Sequence, residues 1–294
     1  MKNVILFFMI LLFMVNDAFP RSQRDQILIY NISLGGITGG VGSVINKKKN
    51  QTWYGTFLKG FAQGSVGGLI QYQGKRIIYE IYKKKTLEYG WLAKIVHSTG
   101  ASIVENAAAN KNFWESWIMH FGFLRIETEP FNSSFRIKLL PVSALGFIDA
   151  CFLGKFSLKK SLRLGAFYFA TDTLIDNRAV GRSLYSSIVI DAGYSDKYKT
   201  IAHEYVHNLQ FRDYLTLNNH FSFIDRKLKK NKLYRKLSNY IYFDTPFMYV
   251  AYIIEGKHSY EWKFKNFFEM EAEYFATLKE VPIPRKRESR SPSY

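Results

Sequence analysis

Glycine and other small residues recur three and four positions apart in two similar blocks, residues 34–43 and 60–69. On a helix, this spacing places the small residues on one face, as for Gly60 and Gly64, so that two helix backbones can approach closely. The sequence therefore predicts tightly packed helices, either inside a soluble domain or as a hairpin in contact with a membrane. The polar Lys59 beside the second block favours the soluble alternative.

Residues 1–20 have the pattern of an export signal. Lys2 supplies a positive end, an apolar run extends from Val4 to Val15, and Ala18 is a small residue suited to cleavage. We therefore expect an exported protein, in the periplasm or cell envelope or secreted, with an uncleaved N-terminal membrane anchor as the alternative. After this run, we expect no stretch long and apolar enough to span a membrane.

The charge balance is strongly basic, with 41 lysines and arginines against 24 acidic residues and a formal net charge of +17 at pH 7. Such a surface attracts polyanions, and an anionic membrane surface is one partner that it fits. Zinc-finger, phosphate-loop and aromatic RNA-binding motifs are missing from the sequence, so we expect no specific nucleic-acid partner. A single cysteine, Cys151, excludes a disulfide framework and a thiolate-rich metal site.

The periodicity of apolar residues predicts both helices and strands. Helical spacing dominates residues 76–120. Alternating apolar and polar residues over 123–127 and 135–139 predict a β-hairpin, and two further strands are predicted at 162–171 and 185–191. The chain is therefore expected to belong to the α+β class, with a short antiparallel sheet packed against helices.

The same patterns divide the chain into four parts. We expect a signal peptide at 1–20, a glycine-rich helical region at 21–120, a second folded domain at 121–280 and a disordered basic tail at 281–294. The second domain contains the residues with metal-ligating chemistry.

His203 and His207 lie four positions apart in a segment with helical periodicity. Two imidazoles one helical turn apart point the same way and can bind one zinc ion through ring nitrogens. Glu204 lies beside them, rotated by one position, where it can take a proton from a water whose pKa zinc lowers to about 7. The alternative is an ordinary helix with two hydrogen-bonded histidines and a surface glutamate.

A zinc ion held in this way needs a third protein ligand and one open position. His220 lies too far along the chain for the pattern in which a third histidine follows shortly. Glu269 and Glu273 share one face of a predicted helix at 268–276, and a half-buried carboxylate pair needs a counter-charge. We expect this helix to supply the third ligand; the alternative is a charged helix edge without a metal.

The two segments His203-Glu-Tyr-Val-His207 and Glu269-Met-Glu-Ala-Glu273 together resemble the motifs of gluzincin metallopeptidases. The closest likeness is to the group of the CAAX prenyl protease and its bacterial membrane relatives, whose second motif reads Glu-x-x-Ala-Asp. The resemblance implies that Glu269 is the third zinc ligand. It also implies that Glu273, which stands in place of the aspartate, orients a zinc-binding histidine from outside the ligand set.

These expectations combine into one function, an exported zinc-dependent endopeptidase that acts on peptides or proteins, with Glu204 as general base. A donor that stabilises the oxyanion is expected as well. The candidates from the sequence are Tyr240, Tyr242, His220 and His258. The alternative is a basic, envelope-associated binding or structural protein whose metal site is silent or structural.

Overall fold

The computed structural model describes residues 22–172, 180–258 and 266–280. The expected signal peptide and basic tail lie outside the described residues. The described part is an α+β fold, as expected. Its helices are α1 (Gln23–Ile45), α2 (Trp53–Ile77), α3 (Tyr79–Lys84), α4 (Tyr89–Ala108), α5 (Pro141–Leu153), α6 (Leu158–Leu164), α7 (Lys197–Leu215), α8 (Ser222–Leu228), α9 (Lys232–Leu237), α10 (Phe247–His258) and α11 (Phe267–Thr277).

The described strands form two sheets. One is antiparallel, in the order β1-β2-β3, and the other is mixed, in the order β4-β5-β7-β6. The strands are β1 (Trp117–Phe121), β2 (Leu124–Glu129), β3 (Ser134–Leu139), β4 (Lys155–Phe156), β5 (Phe167–Thr171), β6 (Gly181–Leu184) and β7 (Ser187–Asp191).

Glycines bring α1 and α2 into backbone contact. A Cβ atom added to Gly64 would overlap the carbonyl oxygen of Gly35, and one added to Gly39 would overlap that of Gly60. The same kind of contact joins α2 to α4, where Gly67 meets Gly100. The predicted close packing of small-residue helices is confirmed, and a third helix takes part in it.

By length and composition, α1 could cross a membrane, although most of it is buried inside the fold. The expectation that no stretch after the N-terminal run is long and apolar enough is therefore wrong. The reason is visible in the sequence, because residues 27–45 contain no charged side chain.

The predicted hairpin is confirmed as β2 and β3, with Ile126 opposite Ile137. Two predicted elements are too long. The helical pattern over 76–120 ends at Ala108, and β1 follows before its end. Residues 162–164 of the strand expected at 162–171 are helical, because Gly165, at φ +77°, ends α6 before β5 begins.

The sheet beside the histidine helix α7 is mixed, not antiparallel as expected, because β5 pairs with β7 in parallel. Burial explains the difference. Ser187 to Ile190 of β7 are buried, with α7 and α5 both in contact with this strand. Strands covered on both faces are characteristic of parallel pairing.

One hydrophobic core contains residues of the glycine-rich helices and of the helices that follow the sheets. The ring of Tyr72 on α2, for example, lies 5.4 Å from that of Phe275 on α11. The boundary expected at residue 120 stays a prediction, but side chains from both sides of it pack together.

Substitution of Gly64 by alanine tests the close approach of α1 and α2. We expect Gly64→Ala to lower the free energy of unfolding by about 1–3 kcal/mol, because the methyl group meets backbone atoms that cannot move independently. Gly55→Ala, on the same helix, is the matched control, since its added Cβ meets only the Thr52 hydroxyl oxygen, at 3.0 Å. The control should be neutral or stabilising by up to about 1 kcal/mol. Equal losses of stability in urea unfolding would contradict the proposed contact.

Candidate metal centre

Helix α7 carries both histidines on one side. It starts after Asp196, and its apolar residues Ile201, Tyr205 and Leu209 are buried in the core. This packing fixes the rotation of the helix. The Nε2 atoms of His203 and His207 lie 3.1 Å apart, as expected for imidazoles one turn apart.

Helix α11 brings the carboxylate of Glu269 to the same point. The helix is capped by the side chain of Asn266, which accepts a hydrogen bond from the backbone of Phe268. One carboxylate oxygen of Glu269 lies 3.2 Å from His203 Nε2, and the other lies 3.5 Å from His207 Nε2. The structure thus brings together the three side chains that the sequence proposes as ligands.

The spacing of these atoms fits a zinc ion. Zinc bonds of about 2.0–2.1 Å at tetrahedral angles place neighbouring ligand atoms about 3.3–3.4 Å apart. One ligand atom from each of His203, His207 and Glu269 lies within 4.8 Å of the other two. The two imidazole nitrogens are 3.1 Å apart, and each is 3.2 or 3.5 Å from a different carboxylate oxygen of Glu269. Two imidazoles and one carboxylate could therefore hold a divalent cation with small adjustments.

The electrostatics of the cluster favour positive charge. Burial lowers the pKa of His203, but hydrogen bonds to Glu269 and Glu273 outweigh it and raise that pKa to about 10. Burial raises the pKa of Glu269, but the charge on His207 and the hydrogen bond to His203 hold it well below its usual range. A divalent cation would compete with protons for the same atoms.

Glu204 belongs to α7, and its side chain lies between this helix and the strand β6. It is 8% exposed, and a Cβ atom added to Gly181 of β6 would come within 2.9 Å of its carboxylate oxygen. The backbone N–H of Ser183 hydrogen-bonds to this carboxylate. Burial raises the pKa of Glu204, although the charges of His203 and His207 oppose the shift. A raised pKa makes a carboxylate a stronger base, which favours a role in accepting and returning a proton.

Glu273 lies against the outer side of the first histidine. Its Oε2 atom is 3.5 Å from His203 Nδ1, and its Oε1 atom is 2.5 Å from Lys199 Nζ. The hydrogen bond to His203 and the contact with Lys199 outweigh burial and lower the pKa of Glu273 to about 2. This is the place in which the family resemblance puts an orienting carboxylate, and that role stays a prediction.

Gln210 contacts the outer nitrogen of the second histidine. Its side-chain oxygen lies 2.7 Å from His207 Nδ1, and its amide nitrogen donates to Glu271 at 2.7 Å and to the Phe268 carbonyl at 3.0 Å. The two acceptors fix the orientation of the amide, so its oxygen must face the imidazole. His207 then donates from Nδ1, which leaves Nε2 available as a ligand.

A buried lysine of the glycine-rich region supports Glu271. The ammonium of Lys75, on α2, lies 3.0 Å from Glu271 and 2.6 Å from Asp213, and all three side chains are buried. Burial alone would lower the pKa of Lys75, but the two carboxylates raise it. Asn31 of α1 donates to Glu271 and accepts from Lys75. Hydrogen bonds therefore connect α1 and α2 to the His207 side of the site.

The structure places the oxyanion donors proposed from the sequence, where their side chains are described, at other points of the protein. Tyr240 is exposed and pairs with β3 through its backbone. Tyr242 stacks on Arg125, and His220 donates to the carbonyl of Thr38. The side chain of His258 lies outside the described residues.

Sequence reasoning missed two tyrosines of α10 beside the site. The hydroxyl of Tyr252 lies 3.0 Å from Glu269 Oε1, and that of Tyr249 lies 3.5 Å from the Ser183 carbonyl. The available signal was their spacing of three positions within an otherwise apolar run, residues 247–254, since it places both hydroxyls on one face.

Comparison of the chain with known protein families, curated proteins and solved structures finds no match. The likeness to gluzincins accordingly rests on the two short motifs.

A leucine substitution at Gln210 tests the support of His207. We expect Gln210→Leu to weaken zinc binding about 10- to 100-fold in a chelator competition assay, because the imidazole loses the acceptor that fixes its tautomer. Gln71→Leu is the matched control, as Gln71 is also buried and donates to a carboxylate, that of Asp213, at 2.8 Å. The control should lose stability while zinc affinity changes little. Equal zinc affinities in the two variants would show that Gln210 does not orient the ligand.

Proposed function

We propose that this protein is a zinc-dependent endopeptidase in which His203, His207 and Glu269 hold the metal and Glu204 is the general base. The observation that carries the proposal is the convergence of three possible ligand atoms from two helices within 4.8 Å of one another, with a buried carboxylate beside them. A purely structural zinc site would more often be closed by four protein ligands and would not need that carboxylate.

The chemistry of such a site follows from its parts. Zinc, when bound, lowers the pKa of a coordinated water to about 7 and polarises the peptide carbonyl. Glu204 accepts the proton of the attacking water and passes it to the leaving amine, for which its raised pKa is suited. The hydroxyls of Tyr249 and Tyr252 donate to the Ser183 carbonyl and to Glu269 in the free protein, and either could donate to the oxyanion instead once substrate is bound.

The position of β6 supports a peptide as the substrate. Among the strands that the structure describes, this one is the last of its sheet. The backbone N–H of Ser183 is directed to Glu204, and its carbonyl to Tyr249, so neither group is used in pairing with β7. An extended peptide that displaced these two contacts could pair with the strand edge and present its scissile bond to Glu204.

The metal content and one glutamine variant test the proposal. We expect about one zinc per chain by elemental analysis, retained in Glu204→Gln and lost in His203→Ala. Cleavage of a mixed peptide library, followed by mass spectrometry, should fall at least about 100-fold in Glu204→Gln, because the general base is missing. Glu80→Gln, which removes a surface carboxylate paired with Lys84, is the control and should cleave normally. A zinc-free wild-type protein, or full activity in Glu204→Gln, would refute the assignment.

We propose further that the enzyme acts outside the cytoplasm, in the periplasm or cell envelope or as a secreted protein, since residues 1–20 have the composition of an export signal. Sequencing of the mature N-terminus should find it shortly after Ala18. A mature protein that still begins at Met1 would favour an uncleaved anchor.

A further inference from the structure

Helix α2 has its large apolar side chains on the outside. Trp53 is 65% exposed and Leu58 is 63% exposed, and the same face continues toward Leu69. Its other exposed large apolar residues are Tyr54, Phe61 and Val66. At 1.5 Å per residue, the stretch from Trp53 to Leu69 is about 24 Å long. The inner face, in contrast, is formed largely by glycine.

This distribution is opposite to that of an ordinary surface helix, in which large apolar residues face the core and polar residues face water. Small residues between helices and large apolar residues on the outer face are typical of helices in contact with lipid. Because its inner face is packed against α1 and α4, α2 can present only its outer face to a membrane. It would then lie along the surface instead of crossing it.

Aromatic side chains from a neighbouring loop extend this face. The ammonium of Lys59 donates to the Asn112 side chain at 3.0 Å, which places the loop after α4 beside α2. Phe113 and Trp114 in that loop are 47% and 42% exposed, and their rings pack edge to face. Like Trp53, they are exposed aromatic side chains of the kind that settles at the membrane–water interface.

The charges around the face are positive. Lys47, Lys48 and Lys49 are exposed in the turn before α2, and Lys59 lies within the face itself. Between Asp25 and Glu80 the sequence contains no acidic residue. A second copy of the chain would bring these lysines against like charges, whereas anionic lipid headgroups would neutralise them.

We infer that the outer face of α2, with the lysine turn before it and the aromatic loop after α4, docks onto an anionic lipid bilayer. The large apolar side chains enter the boundary between headgroups and acyl chains, and the lysines contact the headgroups. This surface is separate from the metal ligands, so the inference holds whether or not the proposed peptidase activity does.

Vesicle sedimentation of the full chain tests the inference. Wild-type protein should bind vesicles of phosphatidylcholine with phosphatidylglycerol more tightly than vesicles of phosphatidylcholine alone, and added salt should weaken the binding. Leu58→Glu should lower the partition coefficient at least about tenfold, because it places a negative charge in the docking face. Residues 1–20 are the same in every variant, so any contribution from them is common to all.

Two controls match these changes. Leu145→Glu alters a leucine that is 64% exposed on α5, a helix without lysine or arginine, and should bind like wild type.

Replacement of Lys47, Lys48 and Lys49 by alanine should weaken binding about fivefold per lysine. Replacement of Lys227, Lys230 and Lys232, which are exposed in and between α8 and α9, by alanine should have a smaller effect. Circular dichroism would verify that each variant is folded.

Three results would overturn the inference. The first is wild-type protein that stays in the supernatant with anionic vesicles. The second is a loss of binding in Leu145→Glu as large as in Leu58→Glu. The third is a wild-type dimer, detected by light scattering without lipid, that Leu58→Glu dissociates; this would assign the face to a second copy of the chain.

Discussion

The buried ammonium of Lys75 is the interaction on which the arrangement of the candidate site depends. It lies between the carboxylates of Asp213 and Glu271, at 2.6 and 3.0 Å, and two buried carboxylates without a cation would cost several kcal/mol each. Glu271 in turn holds the amide of Gln210, and Gln210 accepts from His207. Helix α2 of the glycine-rich region therefore stabilises the Glu271 carboxylate, which holds Gln210 against the proposed ligand His207. The helix contributes none of the three proposed ligands itself.

The glycines explain how Lys75 reaches this position. Asn31 of α1 contacts both Lys75 and Glu271, so α1 and α2 must lie close together at this level. A Cβ atom on Gly68 of α2 would overlap the backbone carbonyl of Asn31, and any larger residue there would push the two helices apart. Close packing and the buried ion network thus require each other, because separation of the helices would expose the network to water and lengthen its hydrogen bonds.

Features encoded within a few residues could be predicted from the sequence. The i,i+4 spacing of His203 and His207 and the alternation in the β2–β3 hairpin are of this kind. The mixed sheet and the ion network could not be predicted, because they depend on contacts between distant parts of the chain. Lys75 and Glu271 are 196 positions apart. The chain has 41 lysines and arginines, and nothing in the sequence near Lys75 indicates that this one is buried. Glu269 is intermediate, since its helix could be predicted from the local pattern, but its meeting with the histidines could be expected only from the resemblance to the gluzincin motifs.

The two interpretations of the glycine-rich blocks, a soluble helix pair or a membrane-contacting hairpin, are compatible once the two faces of α2 are considered separately. The inner face packs as in a soluble helix pair, since Gly64 and Gly67 meet neighbouring backbones. The outer face has the composition of a membrane-contacting hairpin, with Trp53 and Leu58 exposed. Periodicity could not distinguish them, because small residues on one face and large apolar residues on the other give no polar stripe. A helix with both properties can join the folded core and still offer an apolar surface.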